Sequence, residues 1–398
     1  MIKQLIERII SNEKIVTAAK AGIGILISAA VGFCINLIFQ DFKFVLIVGV
    51  VVIAIILLPL IIIAVASEAK FNLQKILKSN RKQKEWKEII RLTYPLSRSL
   101  FLSGKHNLRV EFGNYAREAC EKLLAGNKTA ITINDSTEQI NTILINLLID
   151  DLGWSLYKTN QRYYANAETN IYLGIKMAIE NENISKAIKG YRHLMHMAIG
   201  TCNDADFVTS RGKAYTLLND MQYTNRTSKK AQQKDLAGLL HADLTHSIKK
   251  AESLPQDQRT PIIENAEQLL TKIIQIYEDN DADRYAKTFV LKAKIQFLKG
   301  GKENIILAEK DLIDGINYCQ EQQRRESFVE SSLLYLEIYL YKLNNFPKNK
   351  SQIDYESKNI KNIYQNAQAE IKELDSRVDC ELRLKEVIKK MKRSAKRI

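Results

Sequence analysis

Two histidines, His193 and His196, come closest in this chain to the spacing of a metal site. Three residues apart, they share one face of a helix, and imidazole nitrogens are common ligands of zinc. A zinc site needs further ligands, and neither Cys202 nor Asp204 stands at a convincing spacing. We therefore predict no metal and no cofactor, and we interpret the pair as part of an amphipathic helix.

A run of alternating acidic residues, Asp279, Asp281 and Asp283, resembles the start of a calcium-binding loop. An EF-hand loop needs glycine at its sixth position and glutamate at its twelfth, where this chain has Arg284 and Val290. The run is instead typical of a turn between helices, in which aspartate side chains cap the backbone.

Motifs for phosphate binding and hydrolysis are also incomplete. The sequence SGK at 103–105 lacks the earlier glycine of a phosphate-binding loop, and His106 follows its lysine. Neither Gly-x-Ser-x-Gly nor His-Glu-x-x-His occurs. The adjacent Asp150 and Asp151 lie about 100° apart on a helix, which suits a catalytic pair poorly. We predict that the protein is not an enzyme.

Two uncharged apolar runs, 21–39 and 44–66, dominate the first part of the chain. As helices, they span about 28 and 34 Å, close to the ~30 Å hydrocarbon core of a bilayer. A backbone in lipid must satisfy its own hydrogen bonds, so the polar break at 40–43 has to emerge from the bilayer as a turn. We predict a two-helix transmembrane hairpin over 15–67, preceded by an amphipathic interfacial helix over 1–14.

Lysines and arginines near the two runs determine the predicted orientation, since these residues accumulate on the cytoplasmic side of a membrane. Lys43 is the one basic residue in the turn, whereas four precede the hairpin and eight lie at 70–91. We therefore expect a cell-membrane protein with both termini and its main domain in the cytoplasm. The five scattered cysteines, none in a Cys-x-x-Cys pair, agree with a reducing compartment.

The formal net charge of +14 is concentrated in two short segments. Residues 70–91 carry +6 and residues 383–398 carry +7, whereas residues 92–382 sum to zero. The first segment belongs to a predicted basic juxtamembrane helix at 68–91, where anionic headgroups attract lysine and arginine. The residues predicted to lie on the membrane surface are Lys75, Lys78, Arg81, Lys82, Lys84, Trp86, Lys87 and Arg91. Because the main domain is neutral, nucleic-acid binding is not expected.

The second basic segment is part of a C-terminal helix or tail predicted at 376–398. Leu384, Ile388, Met391 and Ala395 recur at helical spacing, so that a helix here has one apolar face. Three alternatives stay open for this segment, namely return to the membrane surface, capping of the main domain, or a solvated tail.

The main domain, predicted at 92–375, consists of amphipathic segments separated by short polar breaks. The breaks include TNQ at 159–161, ENEN at 180–183 and KGGKEN at 299–304, and strand-like character is confined to 128–135. We predict an all-α fold.

Two segments within this domain are related to each other. IDDLGWSLY at 149–157 and AIKGYRHLM at 187–195 align at Gly153 and Gly190, each followed by an aromatic residue. Ala165 lies twelve residues after Gly153. A glycine in the first helix with an alanine at that distance resembles the tetratricopeptide repeat family.

The resemblance covers roughly residues 85–375 and includes GNYAREACEKLL at 113–124 as a second-helix sequence. It implies an α-solenoid of helix pairs whose first helices line a concave groove, a surface that commonly holds a peptide or a helix of a partner protein. By position in that pattern, the predicted groove residues are Asp150, Trp154, Tyr157, Lys158, Tyr191 and Asp243. Packing between repeats is the alternative role of Trp154 and Tyr191.

The predicted function is that of a membrane-anchored cytoplasmic adaptor or scaffold that binds a protein partner in the groove. The alternative is a membrane-disrupting effector, for example of a defence or toxin system, whose repeat domain senses a trigger and whose hairpin oligomerises. Gly22, Ala29 and Gly32 form a stripe of small residues on the first apolar run. Such a stripe suits a homo-oligomer, but it equally suits packing within one hairpin.

Overall fold

The computed structural model describes residues 73–82, 84–126, 137–220, 226–280, 282–321, 324–346, 350–372, 374 and 377–395. Within these residues the chain is all-α and contains no strand, which confirms the predicted fold class. The chain divides into two compact units, Met1–Leu92 and Thr93–Ile398. In the described ranges, no helix combines the length and the apolar character needed to cross a membrane. The interfacial helix predicted at 1–14, the hairpin predicted at 15–67 and the strand-like stretch at 128–135 lie outside the described residues.

The described part of the first unit consists of two short helices, where the sequence predicts one juxtamembrane helix. Helix α1 spans 73–82 and α2 spans Trp86–Thr93. Between them Lys84 adopts a φ of 61°, a left-handed conformation that ends the first helix. The seven basic residues predicted for the membrane surface are all exposed, and Trp86 is half-buried.

The second unit is built from fourteen further α-helices in the described residues. They are α3 (Leu96–Leu102), α4 (His106–Gly126), α5 (Thr137–Asn146), α6 (Ser155–Thr159), α7 (Tyr164–Glu180), α8 (Ile184–Thr201), α9 (Asp204–Asp220), α10 (Arg226–Ser253), α11 (Gln256–Asn280), α12 (Ala282–Lys299), α13 (Lys302–Glu321), α14 (Arg325–Asn345), α15 (Lys350–Ile371) and α16 (Arg377–Ala395). A π-helical segment, Leu147–Trp154, joins α5 to α6 without a break. Helices α6, α7 and α12 end at the predicted breaks.

These helices pack in two layers. In the first layer, the π-helical segment, α8, α10, α12, α14 and α16 each contact the next. In the second layer, α7, α9, α11, α13 and α15 each pack against the two first-layer helices beside them. The second unit is therefore a repeat-like stack of helix pairs.

Apolar contacts join helices that are neighbours in this stack. Three clusters of buried apolar residues run from Ile145 to Ala242, from Ala237 to Leu298 and from Val290 to Val387. Each cluster overlaps the next in sequence, so the core continues from one helix pair to the following one. Burial of this surface is the main contribution that holds the stack together.

The two glycines of the predicted repeat lie at helix crossings. A Cβ atom at Gly153 would overlap Ile171 of α7, and a Cβ atom at Gly190 would overlap Ile175 of the same helix. Both first-layer segments thus approach α7 closely because glycine leaves room for an isoleucine. Ala165, by contrast, is exposed, so the spacing that resembles the tetratricopeptide family does not place this alanine in an interface.

The C-terminal helix α16 uses its apolar face within the second unit. Leu384 is buried, and Ile388 and Met391 pack against the cluster that contains α14. Arg383 donates two hydrogen bonds, of 2.5 and 2.6 Å, to the carboxylate of Glu337 on α14. Contacts of both kinds hold α16 against α14.

Candidate functional site

The candidate site begins at the π-helical segment between α5 and α6. Its wider turn is completed by a hydrogen bond from the Ser155 N–H to the carbonyl of Asp150, five residues back. Short π-helical segments are rare and often occur at functional sites. This one carries Asp150, Asp151 and Trp154, and each of them has different partners.

Asp151 lies in a buried network with α3 and α4. Its carboxylate accepts a hydrogen bond of 2.6 Å from Ser97 Oγ and pairs with Arg109 Nη2 at 2.6 Å. Arg109 also donates to Ser97 Oγ and Ser155 Oγ, both at 3.0 Å. Burial raises the pKa of Asp151 to about 6, and Arg109 offsets that rise only in part. The network ties three helical segments together.

Asp150 is bound to α8 instead. Lys189 Nζ lies 2.6 Å from its Oδ2, and His193 Nε2 lies 3.1 Å from its Oδ1. Burial by itself raises the pKa of Asp150, but Lys189 and His193 hold it well below its usual value. Burial lowers the pKa of His193 to about 4, so a neutral imidazole donates its Nε2–H to Asp150 at pH 7. The two adjacent carboxylates therefore have separate partners.

Trp154 lies at the centre of a group of aromatic and basic side chains. Its ring stacks on His193, with centroids 4.6 Å apart and an interplanar angle of 13°. His196 lies 6.0 Å from Trp154, and Lys158 Nζ lies 5.5 Å from the centroid of the indole. His196 is in turn 5.8 Å from His241 of α10. The indole thus contacts side chains of α6 and α8, and His196 links it to α10.

Glu326 of α14 joins this group from a distant part of the chain. Its Oε1 accepts a hydrogen bond of 2.7 Å from His106 Nε2, and its Oε2 lies 3.7 Å from Lys158 Nζ. Burial by itself raises the pKa of Glu326, but Lys158 and His106 bring it below its usual value. Glu326 raises the pKa of Lys158, so both groups are charged at neutral pH. We call the residues that meet here the central cluster: Trp154, Lys158, His196, His241, Glu326 and Glu330.

The central cluster is accessible to water and yet surrounded by protein. Glu330 exposes 53% of its side chain and Lys158 exposes 34%. Burial is nevertheless the largest influence on the pKa of Glu330, and the opposing pull of Lys294 and Lys158 is needed to lower that pKa. Water therefore reaches Glu330 and Lys158, while other charged groups lie close enough to shift their pKa values.

A line of contacts from Ser155 through His106 to Glu326 has the order of a catalytic triad. Ser155 Oγ lies 3.4 Å from His106 Nδ1. The hydroxyl is fully buried, donates to the carbonyl of Asp150 at 3.2 Å and accepts from Arg109. The oxygen is shielded from solvent, and its proton is directed to the Asp150 carbonyl and not to the imidazole. Ser155, His106 and Glu326 therefore connect α6, α4 and α14.

Four of the six predicted groove residues come together. Asp150, Trp154, Tyr157 and Lys158 occupy successive turns, and the rings of Trp154 and Tyr157 lie 5.3 Å apart. Trp154 and Lys158 belong to the central cluster. Asp150 is held by α8, and Tyr157 packs directly beside Gly200.

The other two predicted groove residues contact α9. Tyr191 is buried in an apolar cluster, and Lys213 Nζ lies 5.9 Å from its ring centroid. Asp243 accepts hydrogen bonds from Arg211 Nε and Tyr215 Oη, both at 2.8 Å. Their side chains contribute to packing between the two layers.

Sequence reasoning missed four members of the central cluster. His196, His241, Glu326 and Glu330 lie on α8, α10 and α14, and only the stacking of these helices brings them together. His196 was considered solely as a metal ligand. Among the described residues, no group of three or more His, Cys, Asp or Glu side chains is placed to hold a metal ion. All four residues lie on first-layer helices, so an assignment of helices to the two layers is what would group them.

Comparisons with known proteins add little to this geometry. No family model matches the chain, and no curated protein matches its sequence. Among solved structures, a "Circular tandem repeat protein with novel repeat topology and enhanced subunit contact surfaces" aligns over 99% of this chain and 97% of its own, with 11% identity and a TM-score of 0.28. At that score the likeness carries no argument about fold or function.

Proposed function

We propose that this protein is a membrane-anchored adaptor whose second unit holds a segment of a cytoplasmic protein partner in the central cluster. One observation carries the proposal: the Trp154 indole and the Lys158 ammonium group lie beside two carboxylates of α14, and Lys158 and Glu330 are partly exposed to water. Aromatic and charged side chains that share one partly exposed surface are what peptide recognition commonly uses.

Lys158 is the group best placed to bind a partner. Its Nζ is 3.7 Å from Glu326 Oε2, which is longer than a hydrogen bond, so its N–H donors are not committed to that carboxylate. The Lys158 ammonium group lies over the Trp154 ring, whose π-electrons attract a cation. A carbonyl or carboxylate of a bound peptide would therefore find a charged donor beside an aromatic surface.

The membrane part of the proposal is supported by the sequence. The apolar runs at 21–39 and 44–66 have the length that a bilayer requires. The basic residues of α1 and α2 are exposed, as a surface that faces anionic headgroups requires. With the ends of the hairpin in the cytoplasm, the anchor places the central cluster on the inner side of the cell membrane.

Site-specific photo-crosslinking of the full-length chain in its native membrane tests the proposal. A benzophenone amino acid replaces Glu330 in the central cluster or, as a control, Lys176 of α7, whose side chain is 73% exposed. We expect one recurring cytoplasmic protein attached at position 330 and absent at position 176. Equal products at both positions, or none at position 330, would overturn the adaptor function.

The same experiment separates the adaptor from the effector alternative. Crosslinks confined to copies of the chain itself would indicate self-assembly and favour an effector whose hairpin oligomerises. Growth arrest with membrane depolarisation on induction would support that reading, whereas harmless overexpression would agree with an adaptor.

A further inference from the structure

The early and late helices of the second unit meet at one place. His106 at the start of α4 and Glu326 of α14 are 220 positions apart and hydrogen-bonded. Lys158 of α6 approaches the same carboxylate, and a Cβ atom at Gly104 would overlap Leu374. We call these five residues the seam.

The seam differs in chemistry from the contacts between successive helix pairs. Each of the three apolar clusters joins neighbours in the stack. None of them contains described residues from both the early helices and the late helices that meet at the seam. Glu326, shared by an imidazole and an ammonium group, is the main polar contact there. Separating neighbours in the stack exposes apolar surface to water, whereas separating the seam also breaks the hydrogen bond and the ion pair of Glu326. The seam therefore depends on charge more than the three apolar clusters do.

We infer that the seam is a latch that opens when a partner occupies the central cluster, and that Glu326 couples the two events because it belongs to both. The inference rests on the proposed function, because it concerns what a partner does when it binds at that same site. Glu326 belongs both to the seam and to the cluster. A ligand group that pairs with Lys158 takes this cation from Glu326 and leaves the seam with fewer contacts. Binding and opening are therefore coupled.

The size of the effect follows from the charged contacts of Glu326. Loss of one partly exposed ion pair shifts an equilibrium by about two- to fivefold. The variant Glu326→Gln keeps the shape of the side chain and an acceptor for His106, but it removes the charge that attracts Lys158. We expect its open population to rise by about that factor.

Hydrogen exchange of the full-length chain in detergent measures this opening. In Glu326→Gln, amides at 104–112 should exchange about two- to fivefold faster than in the wild type, while those of α10 and α11 keep their rates. The matched control is Glu309→Gln, which breaks the 2.6 Å pair with Lys342 between α13 and α14 and leaves the seam intact. Unchanged exchange at 104–112, or an equal increase throughout the unit, would overturn the latch.

A second measurement avoids any risk that the variant misfolds. In the wild type, added salt should screen the partly exposed Lys158–Glu326 pair and speed exchange at 104–112. Exchange around the more buried Lys342–Glu309 pair should respond less. Exchange at the seam that is insensitive to salt counts against the latch.

Crosslinking from position 330 separates the latch from the adaptor function. A partner captured in the wild type and captured in greater yield in Glu326→Gln supports both. A partner captured equally in the two chains keeps the adaptor function and overturns the latch. A seam that opens in Glu326→Gln without any captured partner overturns the adaptor function and leaves the latch as a property of the fold.

Discussion

Replacement of Arg109 by leucine removes the guanidinium group that compensates the buried carboxylate of Asp151. Arg109 exposes 8% of its side chain and Asp151 exposes 5%, with Nη2 and Oδ1 2.6 Å apart. The same guanidinium donates to Ser97 and Ser155, so α3, α4 and the π-helical segment all lose a contact. Because the network is enclosed, water cannot take over these hydrogen bonds.

Removal of one partner from a buried ion pair costs about 3–5 kcal/mol of unfolding free energy. For a unit of this size, that loss lowers Tm by on the order of 10 °C. Burial already raises the pKa of Asp151 to about 6. Without Arg109 the pKa rises further, so the carboxyl group takes up a proton as the pH falls and the penalty shrinks. We expect a larger difference from the wild type at pH 7.5 than at pH 5.5.

Thermal unfolding of the full-length chain in detergent, followed by circular dichroism, measures both effects. Glu121→Gln on the same helix is the control, because it removes only the exposed pair with Arg117, which contributes little. The double variant Arg109→Leu with Asp151→Leu should recover most of the loss, since no uncompensated charge remains. A single variant that melts within about 2 °C of the wild type, or a double variant no more stable than the single one, would show that Arg109 does not compensate the charge of Asp151.

Three further predictions use the same thermal assay. Gly153→Val should lower Tm, because the valine side chain overlaps Ile171. Gly212→Ala should stabilise α9 by about 0.5–1 kcal/mol, because a Cβ atom there meets nothing within 4 Å. Equal shifts of Tm in the two variants would contradict this prediction. His193 has a pKa of about 4 in the folded chain and its usual pKa of 6.5 in the unfolded chain. Between pH 7.5 and pH 4.5 the unfolded chain therefore binds a proton first, and the free energy of unfolding falls by about 3 kcal/mol. His193→Gln should flatten that decline, and an unchanged slope of Tm against pH disproves it. Leu336→Ala should cost about 2–5 kcal/mol because the side chain is fully buried; a shift under about 1 kcal/mol would show that the cavity collapses.

The helix ends were largely predictable, because they depend on residues that are adjacent in the chain. Helix α12 ends at Lys299, where Gly300 and Gly301 adopt φ values of 70° and 77° that favour glycine. The apolar spacing of Leu384 and Ile388 likewise predicted the face that α16 packs against its neighbours.

The π-helical segment was not predictable, because a widened turn over eight residues leaves no periodicity that a sequence pattern detects. That segment directs Asp150 toward α8 and Asp151 toward α3 and α4. Tyr191 and Asp243 were predicted from a repeat register, but the rotation of their helices directs them toward α9.

The all-α fold, the ends of α6, α7 and α12 and two apolar runs of bilayer length could be read from the chain alone, since they follow from composition and short-range spacing. The tertiary structure alone decided which polar residues meet. Lys158 lies beside Glu326, and His106 is hydrogen-bonded to the same carboxylate, although 168 and 220 positions separate them from it in the chain. A local sequence pattern cannot specify a contact at such a separation, because the contact depends on how all the intervening helices pack.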